Sequence, residues 1–300
     1  SRAVMKRGGP FRVRHYRYCK TCRQLRIADT SIQAFCGCGG GTSREFIEPQ
    51  GFQTRASEGV VAPNLSRKRP TPNTDVFLVG GAPPEAFVES PLVPGLALAH
   101  VRDGRLFRAN EGPRSGRYRL CLQCGSMPEG SGIHEAPWGS RCNGSRQALD
   151  LAHVFETDTL QVRFTAPRWS LPGVDNSVFW LSFSTALRNA AAELLNIPTS
   201  DLGITYRSES EISLRGEIVL YDRVPGGAGY VQSVSENPGA ILRSVVEMMR
   251  RCPNPECDPD GSCYVCLRTY SNQFRWNDLS RRAVADEIGP IVDGIGIGLP

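Results

Sequence analysis

Apolar residues recur at every second position in some stretches of this chain and every third or fourth in others. Val76 to Val79 and Gly95 to Val101 read as strands. Asp103-Gly104 has tight-turn chemistry, so the pattern predicts a hairpin joining 95–101 to Arg105–Ala109. Residues 151–164 (LAHVFETDTLQVRF) alternate, with Leu160, Val162 and Phe164 on one face. Asn176 or Ser177 then caps a predicted helix that runs to Leu195 and is ended by Asn196 and Pro198. Its apolar positions, among them Phe179, Leu187, Ala190 and Leu194, form a face broad enough to lie on a sheet. Asp201–Tyr206 and Ile218–Tyr221 are further strands, the last broken by Asp222, Pro225, Gly226, Gly227 and Gly229. Ile241, Leu242, Val245, Val246 and Met249 line one side of a helix that Pro238 can open. Residues 1–14 and 49–75 carry no sustained period and read as an N-terminal arm and an extended linker.

Composition changes this picture in two ways. At 300 residues and 40% hydrophobic the chain can bury a core, while 31 Gly and 22 Pro predict many loops. It has no run of eighteen apolar residues, and SRAVMKRGGP lacks a signal-peptide core, so a soluble cytoplasmic protein away from membranes is expected. The eleven cysteines fall in three groups, and in a reducing compartment that clustering points to metal, not disulfides.

Cys19-x-x-Cys22 and, thirteen residues on, Cys36-x-Cys38 have a zinc-ribbon layout, with Gly37, Gly39, Gly40 and Gly41 supplying tight turns. Cys121-x-x-Cys124 and Cys142 supply three thiols, and His134, in the loop between them, is the candidate fourth ligand. Cys252, Cys257, Cys263 and Cys266 make the third set. Pro253, Pro255, Pro259, Asp260 and Gly261 fill its gaps, so it has almost no apolar filling to order it without a metal. Three structural zinc ions are expected. The chemistry predicts an α+β chain: a small mixed α/β core domain with a four-cysteine zinc knuckle, preceded by two zinc-ribbon-like β modules and long irregular linkers. The corresponding boundaries are arm 1–14, ribbon 15–48, linker 49–75, β-rich region with the second site 76–147, and core domain 148–300.

The net charge of +5 hides an asymmetry. Residues 1–70 hold 14 Lys+Arg against 4 Asp+Glu, and the remainder is net acidic. The basic end is the candidate face for an anionic partner. Arg12, Arg14, Arg17, Lys20, Arg23 and Arg26, interleaved with Phe11, Tyr16 and Tyr18, have the make-up of a single-strand contact surface, and Arg67, Lys68 and Arg69 add a basic cluster in the linker. A solvated basic ribbon that touches nothing is the alternative.

The C-terminal order is strand, Y-D-x-x-P-G-G-A-G-Y, helix, four cysteines, then C-L-x-x-Y-x-N-Q. It resembles the MrfA-type zinc-binding (MZB) domain of certain superfamily 2 helicases and their stand-alone partners. Tyr221, Asp222, Pro225, Gly226, Gly227, Gly229, Tyr230, Cys266, Leu267, Tyr270, Asn272 and Gln273 carry the likeness. With the two upstream cysteine sets, the arrangement is similar to the DrmB family, helicase-associated subunits of the DISARM anti-phage system. That resemblance implies a DrmA-like superfamily 2 helicase as partner, DNA that is at least partly single-stranded as ligand, and a role in phage resistance. A zinc-binding module of a DNA-repair helicase, with the motor in the same chain, is the competing expectation.

Catalysis finds little support. PGGAGY lacks the G-x-x-x-x-G-K-[ST] pattern and no lysine follows Lys68, which excludes a Walker site. A backbone phosphate at the helix start after this loop is the remaining phosphate expectation. His153 with Asp158 and Glu217 with Asp222 each sit five apart on a strand, a poor acid/base spacing. A non-enzymatic accessory protein is expected, with a cryptic nuclease as the third alternative.

Overall fold

One strand organises the chain. Residues 146–164 form a single 19-residue strand with which four other strands pair directly, and through them five more join the same sheet. The computed structural model describes residues 2–4, 12–49, 51–53, 75–93, 95–112, 116–128, 130, 132–164, 176–208, 216–224 and 226–294. In chain order the strands are β1 (Arg2–Val4), β2 (Arg14–Tyr18), β3 (Leu25–Ala28), β4 (Arg44–Ile47), β5 (Gly51–Gln53), β6 (Val76–Leu78) and β7 (Val88–Glu89). They continue with β8 (Leu96–Asn110), β9 (Tyr118–Cys121), β10 (His134–Glu135), β11 (Arg141–Cys142), β12 (Arg146–Phe164), β13 (Leu202–Ser208) and β14 (Gly216–Asp222). The helices are α1 (Asn176–Leu194), α2 (Tyr230–Glu236), α3 (Pro238–Arg250) and α4 (Arg281–Asp293).

The fold is α+β. Its ten-stranded sheet runs β13-β14-β12-β4-β2-β3, with β8 and β9 also on β12 and β6 and β7 on β8. The first ribbon is therefore joined by hydrogen bonds to the same sheet as the C-terminal strands, through β4 parallel to β12 at Phe46 and Ile47. The boundary at 147/148 falls inside β12, and two strands assigned to arm and linker, β1 and β5, pair with each other.

The predicted hairpin at Asp103-Gly104 does not form. β8 passes straight through it, opposite β12 from Leu151 to Phe164, with a one-residue bulge where Thr157 and Thr159 face Gly104 and Val101. Asp103 takes a left-handed φ of 55°, and a side chain at Gly104 would fall on that of Thr159. Asp-Gly here is bulge chemistry, because β12 offers β8 an unbroken partner that a chain reversal would forfeit.

The main core lies between this sheet and the helices. Phe179, Trp180 and Phe183 of α1 pack with Leu160 and Val162 of β12, Ile218 and Leu220 of β14, and the apolar face of α3. The thiols of Cys257 and Cys266 belong to the same cluster, so the third cysteine set is docked on the core. Arg281, 5% exposed, fixes that docking by donating to the carbonyls of Met249 and Cys257 at 2.9 Å each. The ribbon side has its own aromatic cluster, in which Tyr16, Phe46, Phe77 and Phe107 meet.

Candidate metal centres and charged surfaces

Each of the three cysteine sets converges. Cys19, Cys22, Cys36 and Cys38 form one group, Cys121, Cys124, His134 and Cys142 the second, and Cys252, Cys257, Cys263 and Cys266 the third. Within each, the ligand atoms lie within 4.8 Å of one another. The cysteines stand as thiols, not disulfides. A tetrahedron of ~2.3 Å zinc–sulfur bonds has edges of about 3.8 Å. The S···S separations match: 3.8 Å for Cys121 to Cys142, 3.6 Å for Cys252 to Cys263 and 3.8 Å for Cys257 to Cys266. The donor sets therefore fit zinc, and all three could hold it.

The first set hangs from the end of β2. Arg23 takes a left-handed φ of 57° and its N–H donates to the Cys19 carbonyl at 2.9 Å, closing a tight turn around the first pair. Gly41, at φ 79°, brings the second pair so close that a side chain there would collide with the Tyr18 carbonyl. Burial raises the Cys19 pKa, but the Cys22 and Thr21 N–H groups and the neighbouring thiols outweigh it and bring it to about 7.

The second set is buried at all four positions, and its apolar cluster contains only Ala136 besides the thiols. His134 and Cys142 are paired across the small β10–β11 ladder. His134 Nε2 lies 3.1 Å from Cys124 Sγ, while Nδ1 faces the Gly132 carbonyl at 3.4 Å. A proton on Nδ1 leaves the Nε2 lone pair for a metal.

The third set is entered from α3 and left through the 270–278 turn. The Cys263 N–H donates to Cys266 Sγ at 3.1 Å, and Asn189 of α1 donates to the Cys266 carbonyl at 2.9 Å. Burial opposes ionisation of Cys263, yet the N–H groups of Val265 and Cys266 bring its pKa to about 6. Burial and the adjacent thiols push Cys257 up to about 12.

The proposed nucleic-acid surface is divided. Arg12, Lys20 and Arg26 are exposed. Arg12 pairs with exposed Asp29 at 2.6 Å, and Arg26 lies over Phe35 at 4.8 Å. Arg14 is half-buried, 3.6 Å from Asp29 and over Phe46. Two of the arginines face inward. Arg17 donates to the carbonyls of Ile32 and Gly40, and Arg23 is sandwiched by Phe77 and Tyr206 while pairing with Asp75 at 3.2 Å. Tyr16 is fully buried and donates to Asp150 at 2.8 Å, so it cannot stack on a base. Tyr18 donates to Glu111 at 3.0 Å. Phe11, Arg67, Lys68 and Arg69 lie outside the described residues.

The phosphate expectation at PGGAGY is overturned by a side chain of the chain itself. Asp222 accepts from the N–H groups of Ala228, Tyr230 and Val231 at 2.6, 3.2 and 3.2 Å, so a carboxylate already occupies the position an anion would take. Glu217 pairs with Arg163 and Arg207 at 2.7 and 2.8 Å. The spacing of Asp222 from the glycines, which marks a capping carboxylate, was the signal available in the sequence.

Residues 183–267 match the family model described as the MrfA Zn-binding domain. The chain therefore carries an MZB domain. That stretch spans most of α1, β13, β14, α2, α3 and the third cysteine set. Among curated proteins, the chain is 26% identical over 216 residues to the Druantia protein DruE of Escherichia coli (strain UMEA 4076-1), a match over 62% of this chain and 12% of that one. The chain thus spans about an eighth of the relative's length. Among solved structures, the DUF1998 helicase MrfA bound to DNA is 13% identical over 73% of this chain and 24% of that chain, with a TM-score of 0.41. The same helicase bound to DNA and AMPPNP gives 8% identity over 89% and 29% of the two chains, with a TM-score of 0.32.

Proposed function

We propose that this chain is a non-catalytic zinc-binding accessory module that works with a superfamily 2 helicase and contacts DNA jointly with it in defence against phage. One observation carries the reading: three four-donor Cys/His sets, one of them inside the stretch that matches the MrfA Zn-binding domain. Four protein ligands close a zinc site and leave no position for a catalytic water, which supports a scaffolding role. The likeness to DruE and the DrmB-like arrangement of the cysteine sets support a place in defence, with a DrmA-like motor as partner. No helix of the described residues is long and apolar enough to cross a membrane.

The test joins two measurements. Tagged protein expressed with its neighbouring genes should co-purify with an ATPase, and the purified chain should bind single-stranded DNA with a steep salt dependence. Replacing exposed Arg12, Lys20 and Arg26 by Ala together should weaken binding and flatten the salt slope by roughly 0.7 for each phosphate no longer neutralised. Purification without any ATPase, and with no measurable DNA binding, contradicts the proposal. A second reading, the same module with its motor in cis, draws support from DruE, of whose length the match covers 12%. A Walker A motif encoded in frame before Ser1 would favour it.

A further inference from the structure

Arg188 of α1 lines a cavity of about 380 Å³ bounded by α1, β13, β14 and the 270–278 turn. Only 6% of the residue is exposed. Its guanidinium donates from Nε and Nη2 to a single acceptor, Asn189 Oδ1, at 3.3 and 3.1 Å. Among the described residues no carboxylate pairs with it. Burial, and then the neighbouring charge of Arg223, push its pKa down to about 10. A buried cation without a counter-ion is costly, and a perturbed charge on the wall of a cleft marks a candidate site for an anion.

The surroundings keep that charge available. Among the described residues Asp75 is the one carboxylate on the cavity wall, and Arg23 holds it. Arg275, also on the wall, is paired with Asp278 at 2.7 Å. Arg188 and the exposed Arg223 are left facing the space with no carboxylate between them. At its mouth stand two large rings, Tyr270 and Phe274, 65% and 69% exposed. They sit on a stiff turn. Asn272 accepts from the Thr269 N–H and from Trp276 Nε1, and donates to the Leu267 carbonyl beside Cys266. The third cysteine set thereby fixes where the rings stand relative to Arg188.

We propose that this cleft binds single-stranded nucleic acid, with Arg188 and Arg223 taking a backbone phosphate while Tyr270 and Phe274 stack on the adjoining bases. Buried arginine with flanking exposed rings is the combination that grips a strand without reading its sequence. An acidic side chain from a protein partner would satisfy the arginines but would give the two rings no planar face to stack on. The proposal rests on the DNA-binding reading above but uses another surface, since Arg12, Lys20 and Arg26 do not line the cleft.

The test uses the full zinc-loaded chain, a fluorescently labelled oligothymidine, anisotropy titrations across a salt series, and thermal melts. Arg188→Met should weaken binding about tenfold or more, the loss expected for a charge-assisted contact. Its melting temperature should hold or rise, because an unpaired buried charge has gone; a merely structural arginine would lower it. Arg223→Ala and Phe274→Ala change exposed side chains and should fold normally. Both should weaken binding, but only Arg223→Ala should flatten the salt slope. Wild-type affinity in these two variants overturns the cleft, and if the Arg12/Lys20/Arg26 triple variant still weakens binding, the DNA reading survives without it. Loss confined to the cleft variants retains the cleft and removes the ribbon contact. No binding by the wild-type chain overturns both.

Discussion

Asp150 is the residue on which the ribbon's attachment turns. Fully buried, it accepts from Tyr16 at 2.8 Å and from Arg44 at 2.6 and 2.9 Å, with Arg117 3.5 Å away. Burial and then this carboxylate push the Tyr16 pKa up, while hydrogen bonding to it holds the Arg44 pKa up. Asp150→Ala would remove the buried acceptor that Tyr16 and Arg44 share, leaving Arg44 only Glu111 at 3.4 Å, and urea unfolding should show a loss of about 3–5 kcal/mol. A loss below ~1 kcal/mol would mean the network is solvated. His134 gives a second test. His134→Ala should lower bound zinc from three ions per chain toward two, whereas His134→Cys should keep three, because a thiolate serves the same tetrahedral position. The convergence of the cysteines was legible from spacing alone, and that of His134 from the vacancy in a three-thiol set. Asp150 was not, because a lone acid in an alternating strand gives no sign of the tyrosine and arginine that reach it from more than a hundred positions away.

At the scale of elements, periodicity carried far where one face is buried. α1, α3, β6, β13 and β14 fall within a residue or two of the bounds that the apolar pattern predicts. Where the pattern gave way to turn chemistry, tertiary pairing decided. Asp103-Gly104 has the same residues in a hairpin and in a bulge, and only the presence of β12 separates the two. α4 was not legible, although Ser280 caps it by accepting from the Ala283 N–H at 3.1 Å; Pro290 inside the helix masks the pattern. The bulge yields a prediction. Gly104→Ala would press a methyl group against Thr159 and should cost about 1–3 kcal/mol in thermal or urea unfolding. Adding Thr159→Ala should recover most of that loss. A fully stable Gly104→Ala protein would contradict the close approach of β8 and β12.

In the whole molecule, oily side chains and metal ligands divide the work of folding. The helices and the centre of the sheet have a large common core, whereas the second cysteine set has little beyond Ala136 and its own thiols. Zinc contributes roughly 10–16 kcal/mol to the folding of small finger peptides near neutral pH, far more than that set can gain by burial. Chelation should therefore unfold the knuckles in a graded way. The third set, anchored by Arg281 and Asn189 to the core, should lose its metal last, and hydrogen exchange around 121–142 should rise before exchange in α1 or β12. How the first ribbon and the C-terminal strands share one sheet was not legible, because the parallel β4–β12 contact joins residues about a hundred positions apart with no local signal.

Elemental analysis of the purified, folded chain decides whether metal holds the three knuckles. Three zinc ions per chain, released together with a loss of structure on chelation, are the predicted result. A folded, monodisperse protein with no bound metal, its circular dichroism unchanged by chelator, would contradict it.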